Sequence, residues 1–372
     1  MNYDEALNFI KEKERLGIMP GLSRIEKLLS LMGNPQDELK IIHIAGTNGK
    51  GTVANTIAET LIKCGYKVGL FTSPWVDDYR EQIKLNGNYI PKDTFAKYVE
   101  DYADAEATEF EYLTGIMYKY FADSKVDYAV VECCMGGKGD CTNAIKTPLL
   151  SVITSISIDH TNFLGNTLKE IATEKSGIIK NNGTVVIYPN KECEYIFENR
   201  CAETNSKLIK IKEHNDFKQN NFEVVKKCLS LLNVDCNFEM SKLPARQEYL
   251  TNDIMIDGAH NENGAVSLKK YLPNRDITAV VGMMKDKDVD AYLKNIAPFC
   301  KKIIVTEPSN PRSMSAEKLA QIAGKYCNNV EIEKNPKNAV NKALKNYDFL
   351  LICGSFFLAR DIRKDLIKTI IR

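Results

Sequence analysis

The residues best placed to do chemistry form a short glycine-rich segment near the start of the chain. The segment Gly46-Thr47-Asn48-Gly49-Lys50-Gly51-Thr52 follows the apolar run Ile41–Ala45 and precedes a helical pattern. A strand that enters a helix through such a turn presents backbone N–H groups and the positive end of the helix dipole to a phosphate. In this arrangement Lys50 would reach the terminal phosphates of a nucleotide, and the Thr52 hydroxyl could bind Mg²⁺.

The spacing in this segment differs from the common phosphate-loop pattern. The first glycine of GxxxxGK[ST] would fall at Ile44, and Gly51 stands directly after the lysine. An ordinary glycine-rich turn is the alternative interpretation, but a lysine, a threonine and a preceding strand coincide here. The pattern therefore predicts a shortened phosphate loop, GxxGKxT.

Two other residues follow predicted strands that enter the same sheet. Glu132 ends the predicted strand Asp127–Glu132, and His160 lies beyond the predicted strand Leu150–Ser155. Ligands of open parallel sheets bind outside the carboxyl ends of the strands, so Glu132 could hold a metal ion against the phosphates. A solvated acid at a strand end is the alternative for Glu132. A lone histidine is usually structural, but His160 is expected at the same edge of the sheet.

The chain contains eleven cysteines, which are scattered and form no CxxC pair. This usage predicts reduced, mostly buried thiols rather than a disulfide framework. Cys133, Cys134 and Cys141 lie close together and near His160, but a zinc site is disfavoured because no tetrahedral ligand spacing is present.

Alternating short apolar runs and amphipathic stretches predict the elements that must position these residues. Such alternation is typical of βαβ units and a parallel sheet covered by helices. Strands are predicted at Ile41–Ala45, Lys67–Phe71, Asp127–Glu132, Leu150–Ser155, Thr184–Tyr188, Gln247–Ile256, Asp276–Val281, Lys302–Thr306 and Phe349–Cys353. Helices are predicted at Gly51–Cys64, Asp93–Tyr102, Glu109–Asp123, Thr167–Lys180, Asn221–Leu232, Asn263–Tyr271, Ala316–Tyr326 and Ser355–Ile371.

Length and charge indicate the class of protein. At about 100–200 residues per domain, 372 residues predict two domains. The proline-containing segment Met240–Ala245 interrupts the pattern before a new strand, so the domains are expected at residues 1–243 and 244–372. A net charge of +1 gives no reason to expect nucleic acid or a membrane surface as partner. Residues 1–17 have a charged helical pattern rather than that of a signal peptide, which predicts a cytoplasmic protein.

Taken in order, these segments resemble the folylpolyglutamate synthase and dihydrofolate synthase family of the Mur ligase superfamily. The phosphate loop is similar to the family's own, including its glycine after the lysine. The strongest similarity is Asp159-His160-Thr161 together with Glu174-Lys175-Ser176-Gly177-Ile178-Ile179-Lys180. The further matching segments are Phe71-Thr72-Ser73-Pro74, Thr108–Thr114, Ala245-Arg246-Gln247-Glu248, Asp257-Gly258-Ala259-His260-Asn261, Asp286-Lys287-Asp288 and Cys353-Gly354-Ser355.

The resemblance implies an α/β fold with a P-loop parallel-sheet ATPase domain, the Mur-ligase-like central domain, followed by a smaller Rossmann-like α/β domain. It implies an ATP- and Mg²⁺-dependent monomeric ligase. Such an enzyme activates a folate-type carboxylate, from dihydropteroate or tetrahydrofolate, as an acyl phosphate. It then joins this group to the amino group of L-glutamate.

The resemblance also implies roles for individual residues. Thr52, Ser73 and Glu132 would surround one magnesium ion. His160 and a carbamylated Lys175 would surround a second. The residues implied to contact the nucleotide from the second domain are Arg246, Asp257 and His260, and Ser355 is implied to help hold glutamate.

The chain departs from the family pattern in three places. Trp75 replaces the histidine of Ser-Pro-His, Lys138 and Gly139 alter a glycine-rich segment that carries an arginine in the family, and residues 181–244 are shorter than expected. The alternatives are a Mur-superfamily amide ligase for a different acid or amino acid, and a nucleotide-binding paralogue without turnover. A dinucleotide oxidoreductase is disfavoured because no GxGxxG follows the first strand.

Overall fold

The computed structural model describes residues 1–13, 17 and 21–371. The predicted helical pattern at residues 14–16 lies outside the described residues. The described chain divides into two compact units. The second unit comprises residues 74–79, 158–161 and those from 242 onward, and the first unit comprises the other described residues.

The first unit is built on an eight-stranded sheet. Its strands are β1 Ile41–Ala45, β2 Val68–Phe71, β3 Ile83–Leu85, β4 Asn88–Tyr89, β5 Tyr128–Glu132, β6 Leu150–Ile153, β7 Thr184–Ile187 and β8 Lys207–Lys210. The spatial order is β4-β3-β2-β5-β1-β6-β7-β8. The strands from β2 to β8 in this order pair in parallel, and β3 and β4 add an antiparallel edge. β1 lies between β5 and β6 and is buried along its whole length, which is typical of a strand covered on both faces.

The helices up to residue 241 cover the faces of this sheet. They are α1 Tyr3–Lys13, α2 Ser23–Leu31, α3 Lys50–Lys63, α4 Lys92–Asp101, α5 Glu109–Asp123, α6 Thr161–Leu164, α7 Leu168–Ser176, α8 Glu194–Glu203 and α9 Phe217–Leu231. On one face, apolar residues of α3 and α9 pack on alternate residues of β1, including Ile42 and Ile44. This packing holds α3, the helix that follows the glycine-rich segment, against the central strand β1.

The second unit is built on a six-stranded sheet. Its strands are β9 Glu248–Thr251, β10 Ile254–Asp257, β11 Ile277–Val281, β12 Cys300–Val305, β13 Val330–Ile332 and β14 Phe349–Cys353. Its helices are α10 Glu262–Lys269, α11 Val289–Ile296, α12 Ala316–Ala323, α13 Pro336–Ala343 and α14 Phe356–Ile371. The order is β13-β12-β11-β14-β10-β9, with β9 antiparallel and the rest parallel. The predicted α/β class with two sheets is confirmed.

A short segment from the middle of the first unit's sequence packs within the second unit. Val76 is buried in the apolar cluster beneath α14. The guanidinium of Arg360 lies 3.4 Å from the centre of the Trp75 ring, and Arg363 forms ion pairs with Asp77 and Glu248. Residues 74–79 therefore depend for their packing on the last helix of the chain.

Several predicted elements differ from the structure. The single strand predicted at Gln247–Ile256 is wrong, because β9 and β10 form a hairpin around the turn at Asn252-Asp253. The helix predicted at Thr167–Lys180 ends at Ser176, with Gly177 as its cap. The elements that were not predicted are β3, β4, β8, β13, α2, α6, α8, α11 and α13. β8 and β13 lie at sheet edges and are half-exposed, so their sequences carry no long apolar run.

The prediction that the cysteines are reduced thiols is wrong for two of them. Cys64, at the end of α3, and Cys236, after α9, form a disulfide with a Cα–Cα distance of 6.7 Å. Their 172-residue separation in sequence hid this proximity, which arises because α3 and α9 pack side by side. The other nine cysteines are free, and seven of them are buried. Within the described ranges, no helix is long and apolar enough to cross a membrane.

Candidate active site

The glycine-rich segment forms a tight loop between β1 and α3. Gly46 has a φ of +143°, and a Cβ atom there would lie 1.8 Å from the Thr154 hydroxyl oxygen, so a side chain cannot be accommodated. Gly49 precedes α3 with a φ of +90° and supplies no side chain to cap it. A Cβ at Gly49 would lie 2.8 Å from the amide oxygen of Asn221 on α9. The loop is therefore confined by Thr154 on one side and Asn221 on the other. Because Gly49 has no side chain, it does not cap the N–H groups in the first turn of α3.

The backbone that follows β6 braces this loop. The Thr47 N–H donates to the Ser155 carbonyl at 2.7 Å, and the Ser157 N–H donates to the Thr47 hydroxyl at 3.1 Å. The Ser155 hydroxyl donates to the Asn48 carbonyl at 3.2 Å. These bonds fix the loop conformation before any ligand binds, which reduces the conformational entropy lost on binding.

Two lysines bond to carbonyl oxygens of the loop. The half-buried Lys50, at the start of α3, donates from Nζ to the Thr47 carbonyl at 3.2 Å. Lys175 comes from α7 and is only 3% exposed, and its Nζ donates to the Gly46 carbonyl at 2.8 Å. The structure thus places two ammonium groups on a phosphate-loop-like turn.

The position of Lys175 follows from the local sequence of α7. Thr167 caps the helix, because its hydroxyl accepts from the Glu170 N–H at 3.2 Å and the Glu170 carboxylate accepts from the Thr167 N–H at 3.0 Å. This reciprocal arrangement is a capping box. The helix ends at Ser176, so Lys175 lies in its last turn.

Glu132 and Ser73 lie together at the carboxyl ends of β5 and β2. Glu132 is 2% exposed, and its Oε2 accepts from the Ser73 N–H at 3.2 Å. Thr52 lies in the first turn of α3, where its carbonyl accepts from the Thr56 hydroxyl at 2.8 Å. A carboxylate and the hydroxyl groups of serine and threonine are the kinds of oxygen ligand that Mg²⁺ prefers.

No complete set of protein ligands for a metal ion stands ready in the described part of the chain. Groups of three or more His, Cys, Asp and Glu side chains that could hold an ion are absent there. Magnesium commonly takes one or two carboxylates and completes its shell with water and substrate phosphates. The residues at Glu132 fit this mode of binding.

In the second unit, Asp159 is the centre of a cluster of cationic and amide groups. Its carboxylate lies 2.5 Å from Lys287 Nζ, 2.8 Å from the Asn261 amide nitrogen and 3.5 Å from His260 Nε2. Burial alone would raise the pKa of Asp159, but His260, His160 and Lys287 together hold it far below its usual value. Asp159 is therefore anionic, and it orients the side chains around it.

Asp257 and His260 stand at the end of β10. The buried carboxylate of Asp257 accepts from the Gln247 and Ala259 N–H groups, each at 2.7 Å. Burial raises the pKa of Asp257, and these two hydrogen bonds oppose the rise. Nδ1 of His260 lies 2.9 Å from the Gly258 carbonyl oxygen, which leaves Nε2 facing Asp159.

Phe356 brings three of the predicted residues of the second unit together. The Arg246 guanidinium lies 4.7 Å from the centre of its ring, and the His260 ring lies edge-on at 6.1 Å. The adjacent residue Ser355 is buried and begins α14, where its hydroxyl accepts from the Phe357 N–H at 2.9 Å.

Several of these contacts were not predicted from the sequence. Lys287 lies in a matching segment, and Asp159 precedes His160, yet neither was expected to pair with the other. Their order in the family-like segments is the signal that could have suggested it. Asn221 has no such signal, because its contact with Gly49 depends on how α9 packs beside α3.

Comparison with known proteins agrees with this geometry. Residues 44–261 match the Mur ligase middle domain, and residues 245–356 match the Mur ligase, glutamate ligase domain. Folylpolyglutamate synthase from Lacticaseibacillus casei is 30% identical over 431 residues, which cover 99% of each chain. This chain belongs to the Mur ligase family. Within it, the predicted resemblance to the folylpolyglutamate and dihydrofolate synthases is confirmed.

Other Mur ligases give the same assignment. Dihydrofolate synthase/folylpolyglutamate synthase from Bacillus subtilis is 30% identical over 429 residues, 98% of this chain and 99% of the relative. Both alignments exceed the 372 residues of this chain, so the relatives contain segments that this Mur ligase lacks.

Solved Mur ligase structures share the fold. Folylpolyglutamate synthase from Mycobacterium tuberculosis, complexed with ADP and AMPPCP, has a TM-score of 0.87 and 26% identity, covering 97% of this chain and 99% of the other. Folylpolyglutamate synthase from Thermotoga maritima has a TM-score of 0.83 and 30% identity, and the match covers 99% of this chain and 97% of the other.

Proposed function

We propose that this Mur ligase uses ATP and Mg²⁺ to activate a folate-type carboxylate, from dihydropteroate or tetrahydrofolate, and joins it to the amino group of L-glutamate. The observation that carries the proposal is the loop between β1 and α3. There Lys50 and Lys175 both bond to loop carbonyls, in a chain similar to a folylpolyglutamate synthase over 99% of its length. We further propose residues 1–243 as the ATP-binding domain and residues 244–372 as the glutamate-ligase domain.

The reaction needs charge neutralisation and accurate placement. A carboxylate oxygen of the acid attacks the γ-phosphorus of ATP, ADP leaves, and an acyl phosphate results. The glutamate nitrogen then attacks the acyl carbon, phosphate leaves, and the nitrogen loses a proton to give the amide. Lys50 and the first N–H groups of α3 serve the transferring phosphoryl group, because fixed positive charge there stabilises the transition state without reorganisation.

The oxygen groups near Glu132 suit a divalent ion. We propose that Thr52, Ser73 and Glu132 hold Mg²⁺ when it is bound, since Glu132 is a buried carboxylate beside Ser73. Bound Mg²⁺ would supply neutralisation of the phosphate charge. The chain's own part is to keep these oxygens fixed at the carboxyl ends of β2 and β5.

We also propose that Lys175 is carbamylated in the active enzyme. Its neutral amine would attack carbon dioxide and lose a proton, which turns a buried cation into an anionic oxygen donor. The 3% exposure of Lys175 supports this reaction, because burial disfavours the ammonium form and so favours the neutral amine that attacks. The roles given to His160, Arg246, Asp257, His260 and Ser355, the second magnesium ion, the monomeric state and the cytoplasmic location stay predictions.

The test is phosphate release from ATP and Mg²⁺ in the presence of L-glutamate and a panel of acids. We expect turnover with dihydropteroate or tetrahydrofolate, none without an acid, and none with Lys50→Ala. Turnover only with an acid outside the folate class would support a Mur ligase for another substrate. No turnover with any acid, while ATP still binds, would indicate a nucleotide-binding paralogue.

A further inference from the structure

A buried polar chain runs beneath the loop that follows β5. Nε2 of His43, on β1, lies 2.8 Å from the Thr142 hydroxyl oxygen, which lies 2.5 Å from Oδ1 of Asp140. The Tyr118 hydroxyl, on α5, donates to the Thr142 carbonyl at 2.7 Å. All four residues are buried, and none of them has a part in the proposed chemistry.

The hydrogen-bonding directions in this chain can be assigned. The Thr142 hydroxyl has one proton, and its short contact is with the Asp140 carboxylate at 2.5 Å, against 3.6 Å to Cys133 Sγ. Its oxygen therefore accepts from His43 Nε2–H, which also lies 3.1 Å from Cys133 Sγ. His43 therefore carries its proton on Nε2, and its buried Nδ1 has no hydrogen-bond partner among the described residues. Burial, with a smaller contribution from Lys180, lowers the pKa of His43 to about 3. The imidazole is neutral and acts as a fixed donor at neutral pH.

Asp140 ties both ends of the loop to one carboxylate. Its Oδ2 accepts from the Met135 N–H at 2.8 Å, and its Oδ1 accepts from the Thr142 N–H at 3.0 Å. His43 and Tyr118 thus each donate a hydrogen bond to Thr142. Asp140 joins Thr142 to Met135, which fixes the two ends of the loop at residues 135–142. We call His43, Tyr118, Asp140 and Thr142 the loop brace.

The braced loop interlocks with the end of α7. The Lys138 N–H donates to the Glu174 carbonyl at 2.8 Å, and the Gly139 N–H donates to the Glu174 carboxylate at 2.8 Å. At Gly137 a Cβ would lie 2.9 Å from Lys175 Cα. Because the two backbones touch with no room for a side chain, a shift of the loop must shift Lys175.

The contacts form a closed circuit that starts on β1 and returns to the first residue of the phosphate loop. They lead from His43 on β1 through Thr142 and Asp140 to α7. They return from Lys175 Nζ to the carbonyl of Gly46, at the end of β1. We propose that the loop brace positions Lys175 against the phosphate loop and affects turnover through that lysine. This inference rests on the proposed function, in which Lys175 serves the phosphate chemistry.

A matched pair of variants isolates the central hydroxyl. Thr142→Val removes it and keeps the shape of the side chain, whereas Thr142→Ser retains it. Loss of a residue that orients a site ligand commonly costs 10–100-fold, so we expect kcat to fall about ten-fold or more in Thr142→Val. Thr142→Ser should stay within about three-fold of the wild type, since the bond to Asp140 remains.

A second readout needs no turnover. Labelling by an amine-reactive acyl ester, followed by peptide mass spectrometry, reports how accessible Lys175 is. We expect faster labelling of Lys175 in Thr142→Val but not in Thr142→Ser. The half-buried Lys84 on β3 is the control for general unfolding of the first unit, and its labelling rate should stay unchanged.

Combining Thr142→Val with Lys175→Ala separates positioning from loss of stability. If the brace acts through Lys175, Thr142→Val changes the residual activity of Lys175→Ala by less than about two-fold, because the two effects are not additive. Equal losses in both backgrounds, or unchanged labelling of Lys175 in Thr142→Val, would overturn the proposal. If no acid supports turnover, the proposed function fails. The labelling rates of Lys175 in Thr142→Val and Thr142→Ser then decide whether the loop brace positions this lysine.

His43→Leu and Tyr118→Phe provide the test should Thr142→Val not fold. Each removes one donor to Thr142, so each should also speed the labelling of Lys175. His43→Gln keeps a donor of similar reach and should restore protection. Identical labelling in His43→Leu and His43→Gln would overturn the assignment of His43 as the donor.

Discussion

Lys175→Ala is expected to lower turnover sharply and to create a space in which acetate restores part of it. The side chain of Lys175 is buried, and its Nζ bonds to the Gly46 carbonyl at 2.8 Å. The atoms removed beyond Cβ, from Cγ to Nζ, are as many as the heavy atoms of acetate. Acetate can therefore occupy the vacated space and present an anionic oxygen at the end of the space that Lys175 filled.

The size of the effect of Lys175→Ala can be given both for the stability of the fold and for kcat. Leaving a buried carbonyl without its donor costs about 1–3 kcal/mol of stability, and removing a buried ammonium offsets part of this. The fold should survive. Loss of one charged group from a preorganised site commonly lowers kcat by about 10²–10³-fold, and we expect a loss of this size for Lys175→Ala.

The assay is phosphate release at saturating ATP, acid and glutamate, with and without acetate. Lys175→Met is the matched control, because it fills the same space without an amine and should not respond to acetate. Lys169→Ala removes an exposed lysine of the same helix and should behave as the wild type. Near-normal activity of Lys175→Ala without acetate, or equal stimulation of Lys175→Met, would refute the reasoning.

Three other outcomes follow from the geometry. Lys50→Ala should abolish phosphate release with little change in melting temperature, whereas Lys63→Ala, an exposed change at the other end of α3, should preserve activity. Glu132→Gln should raise the Mg²⁺ concentration needed for half-maximal activity, and an unchanged magnesium titration would assign Glu132 a structural role. The folded-state pKa of His43 is lowered to about 3, below the value near 6.5 expected in the unfolded chain. The unfolded chain therefore binds the proton first, and the contribution of His43 to stability should fall by about 1.4 kcal/mol per pH unit as pH drops through this window. Denaturant titrations should show this slope weakened in His43→Gln, and an identical slope would contradict it.

The phosphate loop was predictable because its signals are local. An apolar strand, glycines and a lysine stand within a dozen residues, and the buried β1 and helix α3 follow directly from them. The contacts that confine the loop are different, since Thr154, Ser155 and Asn221 reach it from distant parts of the chain. No local pattern marks such contacts, because they depend on how β6 and α9 pack around β1.

Lys175 shows the same division between local and long-range information. Its helix was predictable from periodicity, and its capping box is visible in the sequence. Its inward orientation toward the Gly46 carbonyl was suggested by family resemblance alone. The hairpin of β9 and β10 was missed for a local reason, because its apolar residues continue on both sides of a two-residue turn that resembles an interruption within one strand.

The packing of residues 74–79 in the second unit has a consequence for how the chain is made. Trp75 and Arg360 are 285 residues apart in sequence. At roughly 5–20 residues per second, a ribosome needs about 15–60 s to pass from one to the other. During that time Trp75 and Val76 lack the helix that covers them. The nascent chain therefore exposes an apolar segment in the connection between β2 and β3, which needs shielding, for example by a chaperone, until the final helix emerges.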